Sequence, residues 1–146
     1  MTGDPTEAAF SVLASKTKIK KQYSVIEDFP FNVELKYRST LIEKEGQLVK
    51  YFIGAPEALL KKSNWVKSPS AKLLPLAGKE REIITDQLTA WSKESFRVLA
   101  LAMKPMDSPN AEDNDLVIIG FAGMIDPPRP EVKSSFGFFY LLLYYG

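Results

Sequence analysis

The sequence predicts one α+β domain, an antiparallel sheet flanked by helices, on three observations. A β-prone run from Arg38 to Lys44 and a second from Gln47 to Ile53 flank Glu45-Gly46, where Gly46 is free to take a positive φ, so the pair reads as a hairpin. From Lys79 to Ser95, the apolar residues Ile83, Ile84, Leu88 and Trp91 gather on one side of a helix with charges opposite. Two more runs of strand length follow, Arg97–Met103 and Leu116–Ile125, the second bounded by Asp115 and by Asp126-Pro127-Pro128.

The remaining elements fit around this frame. Asp4 is a candidate N-cap and Pro5 a first helical residue; Ala8, Ala9, Val12 and Leu13 then recur at helical spacing, which predicts a helix over 5–16. Lys16, Lys18, Lys20 and Lys21 form a basic loop with no interleaved aromatic, the pattern of a solvated segment. Tyr23-Ser24-Val25-Ile26 is β-prone and is expected to end at Asp28-Phe29-Pro30, because proline cannot donate to a ladder. Gly54-Ala55-Pro56-Glu57 reads as a strand-to-helix turn with Pro56 opening a short helix through Ala58, Leu59 and Leu60. Residues 64–78 hold Asn64, Ser68, Pro69, Ser70, Pro75 and Gly78 and read as a surface loop, as does the polar stretch Pro105–Asn114.

Composition removes several classes of chemistry. The 146 residues suffice for one core, and the formal net charge of +1 leaves no electrostatic footprint for nucleic acid. There is no cysteine and no histidine, hence no disulfide, no imidazole shuttle and no Cys or His metal site. No apolar run reaches the roughly 18 residues of a membrane span, and the opening Thr2-Gly3-Asp4-Pro5 lacks the charged-then-apolar order of a leader. Neither GxxxxGK[ST] nor GxGxxG is present, so a nucleotide would have to be held by an aromatic face, a nearby cation and a few polar groups. Asp28 with Glu34, or Asp113 with Asp115, are the acidic pairs open to a hydrolase reading.

Five ordered segments resemble the nucleotide-binding (N) domain of P-type cation-transporting ATPases. Gly3-Asp4-Pro5-Thr6-Glu7-Ala8-Ala9 is similar to that family's GDPTE motif, Pro30-Phe31 through Lys36 to its PF-x-x-x-x-K segment, and Gly54-Ala55-Pro56-Glu57 to the end of its KGAPE motif. Phe96-Arg97-Val98-Leu99-Ala100-Leu101-Ala102 resembles its R-x-L-A-x-A strand, and Asp126-Pro127-Pro128-Arg129 its DPPR hinge motif. The resemblance implies an N domain over 1–130, with 131–146 an apolar tail foreign to the family, a truncation or frameshift product.

What it implies for the site follows residue by residue. Phe31 would stack on adenine; on its own it reads as a core aromatic. Glu7 would accept the adenine amino group, or simply favour the first turn of its helix. Lys36 would approach the nucleotide as a point charge, Gly54 would line the pocket, and Arg97 would reach phosphate oxygens. Asp126 and Arg129 would sit at the hinge to a phosphorylation domain. The ligand implied is ATP or ADP, taken as Mg-ATP with no protein metal site, and the implied partners are the parent pump's phosphorylation and transmembrane domains on the cytoplasmic side.

Three positions depart from the pattern. Ile53 stands where the family motif has a pocket lysine, Asn32 where an Asp is common, and Ser95 where a Gly is frequent. The DKTGT, TGD and GDGxND motifs are absent, so no phosphoryl acceptor or magnesium site lies in these residues. The expectation is a weak nucleotide-binding module without hydrolysis of its own; the alternative is a structural or interaction domain whose pocket has degenerated at Ile53.

Overall fold

The computed structural model describes residues 24–68, 70, 72–125 and 139–142. The helix expected over 5–16, Glu7, the lysine loop, Asp126 and Arg129 lie outside them. The strands are β1 (Ser24–Asn32), β2 (Tyr37–Lys44), β3 (Gln47–Gly54), β4 (Ser63–Lys67), β5 (Leu73–Pro75), β6 (Phe96–Met106), β7 (Leu116–Ile125) and β8 (Phe139–Leu142). Two helices, α1 (Pro56–Lys62) and α2 (Gly78–Lys93), complete the described elements. The sheet runs β1-β2-β3-β6-β7-β4-β5, and β8 also pairs with β7. The predicted α+β arrangement is present. One pair departs from antiparallel order, because β4 runs parallel to β7.

The hairpin forms where the sequence places it. Glu45 and Gly46 take φ of 52° and 79°, the left-handed pair that a two-residue turn between twisted strands requires. All eight β2 residues then pair, from Lys44 with Gln47 to Tyr37 with Gly54. Proline did not end β1 as expected. The strand passes through Pro30 to Asn32 because β1 lies at the sheet edge and its register shifts between Phe29 and Asn32, two settings in which a missing N–H is tolerated. Likewise β6 runs past Met103 and through Pro105 to Met106; its pairing with β7 reaches only Met103, which frees one side of the strand there.

The expected loop over 64–78 contains strands instead. Trp65 and Val66 on β4 and Leu73 and Leu74 on β5 supply enough apolar contact for pairing, and Val66 is fully buried. On α2, Ile84 is buried while Leu88 and Trp91 pack against the core; Ile83, one step around the helix, stays 49% exposed. The helix stops at Glu94, and Ser95 follows at φ 65°, the left-handed position after a helix end that glycine fills without strain.

Both described helices cover the same face of the sheet. Phe52, Ala100, Ala102, Ile118 and Phe121 meet Leu59, Leu60, Leu76 and Ile84 there. Polar groups within this layer are satisfied. Arg81 donates to the carbonyls of Leu60 (2.6 Å) and Ser63 (2.9 Å), adding a side-chain donor at the end of α1, where the Ser63 N–H also reaches Leu60 O. Ser63 Oγ donates to Leu59 O. Asp113 accepts from Lys50 Nζ at 2.8 Å and from Tyr37 Oη at 3.0 Å, which ties the β6–β7 connection to β2 and β3. Lys50 is only 7% exposed, and its ammonium lies 4.3 Å from the Phe29 ring centre.

These contacts give two testable outcomes. Burial first, then the hydrogen bond and charge of Asp113, push the Tyr37 hydroxyl well above its ordinary value of 10.0. The folded chain therefore keeps this proton when the unfolded chain loses it, so the contribution is complete below about pH 10 and declines as pH rises further. Urea unfolding from about pH 8 to pH 11 should show a steeper alkaline loss in the parent than in Tyr37→Phe. Asp113→Ala strands the buried Lys50 ammonium and should cost about 3 kcal/mol at neutral pH in the same assay.

Candidate functional site

Strand side chains alternate between faces, so the residues between the core positions point away from the helices. Phe52, Ala100 and Phe121 are in the core, which leaves Ile53, Leu99, Leu101 and Arg97 on the open face. The pairing sets them in rows. Arg38, Ile53, Leu101 and Gly120 are successive partners across β2, β3, β6 and β7. On β1, Phe29 pairs with Ser39 and Asn32 with Tyr37, so Pro30 and Phe31 together oppose Arg38. This bulge brings Phe31 to the end of the row, and its side chain is 56% exposed. It is not the core phenylalanine that composition alone would favour.

Arg97 lies on the same face, four residues beyond Leu101 along β6 and exposed. Three strand steps separate Phe31 from β6, about 14 Å, and four residues add about 13 Å along the strand. That separation suits a ligand with an aromatic end at Phe31 and an anionic end toward Arg97. Between them lies an apolar floor of half-buried Ile53, Leu99 and Leu101.

Lys36 closes a tight turn at the edge of this surface. Asn32 Oδ1 accepts the N–H groups of Glu34 (2.8 Å) and Leu35 (2.9 Å), and Asn32 O accepts that of Lys36 at 2.7 Å. Lys36 itself takes φ 65°, and its carbonyl accepts the Ala55 N–H at 2.9 Å. An Asn at position 32 therefore does what an Asp would do for the turn, through the same acceptor oxygen. Gly54 has a structural reason to be glycine. A Cβ there would strike Lys36 O and the Cα and Cβ of Tyr37, so only a bare backbone lets the turn dock on the hairpin. Gly54 pairs with Tyr37, in the row whose side chains face the helices.

The acidic pairs do not assemble as catalytic pairs. Asp28 accepts from Arg38 Nη2 at 2.9 and 3.1 Å and from Thr40 Oγ1 at 2.8 Å. Partial burial alone would raise this carboxyl; the hydrogen bonds from Thr40 and Arg38 and the charge of Arg38 outweigh it and hold Asp28 below the usual range. Glu34 sits in the Asn32 turn, Asp113 holds Lys50 and Tyr37, and Asp115 accepts from Asn64 and Trp65. Among the described residues no cluster of three carboxylates could hold a metal ion.

A groove of about 510 Å³ opens on the other side of the molecule, between α1 and α2. Its lining includes Leu60, Arg81, Leu88, Phe96 and Val98, and none of the residues predicted for ligand binding. Its floor is apolar and the guanidinium of Arg81 is already engaged by the carbonyls of Leu60 and Ser63, which leaves Lys61 as the other cation of its lining. The open face is the better candidate, because an exposed aromatic, an apolar floor and the arginines Arg38 and Arg97 lie there together. Arg38 is a cation of this face that the motifs do not include. The hairpin turn predicts it, since closure at Glu45-Gly46 sets residue 38 opposite residue 53.

Comparison with known proteins shows the family of the chain. A family described as "P-type ATPase, cytoplasmic domain N" matches residues 1–131. A calcium-transporting ATPase of Lactococcus lactis is 33% identical over 145 residues, covering 92% of this chain and 16% of that protein. One of Bacillus subtilis is 32% identical over 148 residues with the same two coverages. A sodium/potassium exporting P-type ATPase of Schizosaccharomyces pombe is 29% identical over 147 residues, with 91% and 14% covered. The chain thus spans about one sixth of the length of the first two relatives, 16% in each case. No helix among the described residues is long and apolar enough to cross a membrane.

The docking of the Asn32–Lys36 turn on Gly54 is directly testable. Gly54→Ala should destabilise the chain by about 2 kcal/mol through overpacking, read as a lower urea midpoint with an unchanged slope. Ser95→Gly should move the midpoint the other way, by about 0.5–1 kcal/mol, because it removes the left-handed strain after α2.

Proposed function

Since the chain belongs to the P-type ATPase cytoplasmic domain N family, we propose that its open sheet face binds ATP or ADP weakly and that these residues alone catalyse no hydrolysis. The observation that carries the reading is the placement of the half-exposed Phe31 at the end of the Arg38–Ile53–Leu101 row, with Arg97 farther along β6. The Phe31 ring offers a plane for adenine, Ile53 and Leu101 a dry floor beside it, and Arg97 and Lys36 charge for the phosphates. Glu7 would meet the adenine amino group, as the family resemblance implies. Magnesium would arrive on the nucleotide rather than through a protein site.

Hydrolysis needs a phosphoryl acceptor and a metal site as well as a nucleotide holder, and the sequence carries no DKTGT. In a full pump this module would present ATP to a phosphorylation domain, with Asp126 and Arg129 at the hinge between them, next to a transmembrane domain that chooses the cation. One observation favours a second reading. Ile53 removes a positive charge from the floor of the pocket, so the same fold could persist as a structural or interaction domain that no longer binds.

Calorimetric titration with Mg-ATP separates the two. Saturable binding with a dissociation constant near the millimolar range is expected, weakened about tenfold by Phe31→Ala through loss of stacking worth about 1–3 kcal/mol. Ile53→Lys should tighten it severalfold. Absence of binding at millimolar ATP in both the parent and Ile53→Lys would establish the second reading.

A further inference from the structure

We propose that Arg38 is a nucleotide-binding residue of the open face, supplying from β2 the cation that Ile53 does not supply from β3. The inference rests on the nucleotide-binding reading above and adds to it a contact that none of the family motifs carries. Arg38 and Ile53 are direct cross-strand partners, so a positive charge moved from position 53 to position 38 shifts by one strand step, about 5 Å, without leaving the face. The side chain of an arginine is long enough to cover that step. On its other side Arg38 faces the Pro30-Phe31 bulge. It therefore stands between the aromatic plane and the apolar floor, where a base stacked on Phe31 would lie.

The guanidinium is also held in place. Its side chain is 26% exposed, so it is not a freely solvated surface arginine. Asp28 takes Nη2 at 2.9 Å, and Thr40 Oγ1 fixes that carboxylate at 2.8 Å. Asp28 and Thr40 are themselves paired across β1 and β2, one row along from Arg38 on the same face. A support of this kind limits the rotamers a guanidinium must give up on binding, which lowers the ordering cost of the contact.

The same support has a cost that makes the inference testable. The Asp28 carboxylate cancels much of the long-range field of Arg38, so the arginine acts at contact distance, through directed N–H donors and its planar face, rather than by attracting phosphates from afar. Weakening that carboxylate should strengthen a polyanionic ligand, and relocating the cation to position 53 should substitute for Arg38.

Titration of the full chain with Mg-ATP reads these out, with thermal melting to show that each variant is folded. Arg38→Met should weaken binding about tenfold. The double variant Arg38→Met/Ile53→Lys should return to within about threefold of the parent, because the cation is back on the same face. Asp28→Asn, whose amide oxygen still accepts a hydrogen bond and so keeps the support while removing the countercharge, should tighten binding severalfold, and it supplies the test by itself if Arg38→Met fails to fold. Parent binding that Phe31→Ala weakens but Arg38→Met and Asp28→Asn leave unchanged overturns the role of Arg38 alone. Failure of the parent and of Ile53→Lys to bind at all overturns the nucleotide reading and this inference together.

Discussion

The two-residue turn at Glu45-Gly46 holds β2 and β3 in a register on which both faces of the sheet depend. With both turn residues at positive φ, Lys44 meets Gln47, and every later partner follows at fixed spacing to Tyr37 and Gly54. Strand side chains have a period of two, so a slip of one residue would exchange the faces. Phe52, fully inside the core, would turn to solvent, and Ile53 would be driven under the helices. Tyr37 would lose Asp113, and the bare backbone of Gly54 would no longer lie where the Asn32–Lys36 turn docks. The register is thus a constraint on stability and on the candidate site at once.

From that register follows a division between the faces. The helices bury one side, and the polar groups trapped with them find partners within the layer: Arg81 on the α1 carbonyls, Lys50 and Tyr37 on Asp113. Small residues at Ala100 and Ala102 on β6 leave room for α1 and α2 to approach. The other side keeps half-exposed apolar residues and cations without a described helix over them. An exposed aromatic next to such a floor is costly to leave in water, and the proposed nucleotide site gives it a use. The groove between α1 and α2 is a concave site, but it lacks the exposed aromatic Phe31 that a stacked base would use.

Much of this was legible in the sequence because it rests on local rules. The hairpin, the helix opened by Pro56, the amphipathic α2 and the apolar β7 all follow from turn chemistry and periodicity. The pairing of β4 with β7 was not, because Trp65-Val66 and Leu73-Leu74 are too short to stand out among Asn64, Ser68 and Pro75, and their partner lies about 50 residues away. Pro30 and Pro105 misled for a related reason: a proline is excluded from a strand only where its missing N–H faces a neighbour, and which side is free depends on the whole sheet. Of the candidate site, the motifs name Phe31, Lys36, Gly54 and Arg97, and the structure separates them. Phe31 and Arg97 share the open face, Lys36 lies at its edge, and Gly54 serves backbone packing. Arg38 belongs to no motif, yet counting outward from Gly46 places it beside Ile53. Glu7, Asp126 and Arg129 fall outside the described residues, so their roles rest on the family resemblance.

On the proposed reading the open face, and not the helical groove, holds the nucleotide. Backbone amide NMR of the chain titrated with Mg-ATP tests it most directly. Saturable shifts confined to residues 31–38, 53–55 and 97–101 are the predicted result. Saturable shifts centred instead on residues 57–61 and 81–92, which line the groove between α1 and α2, would contradict it.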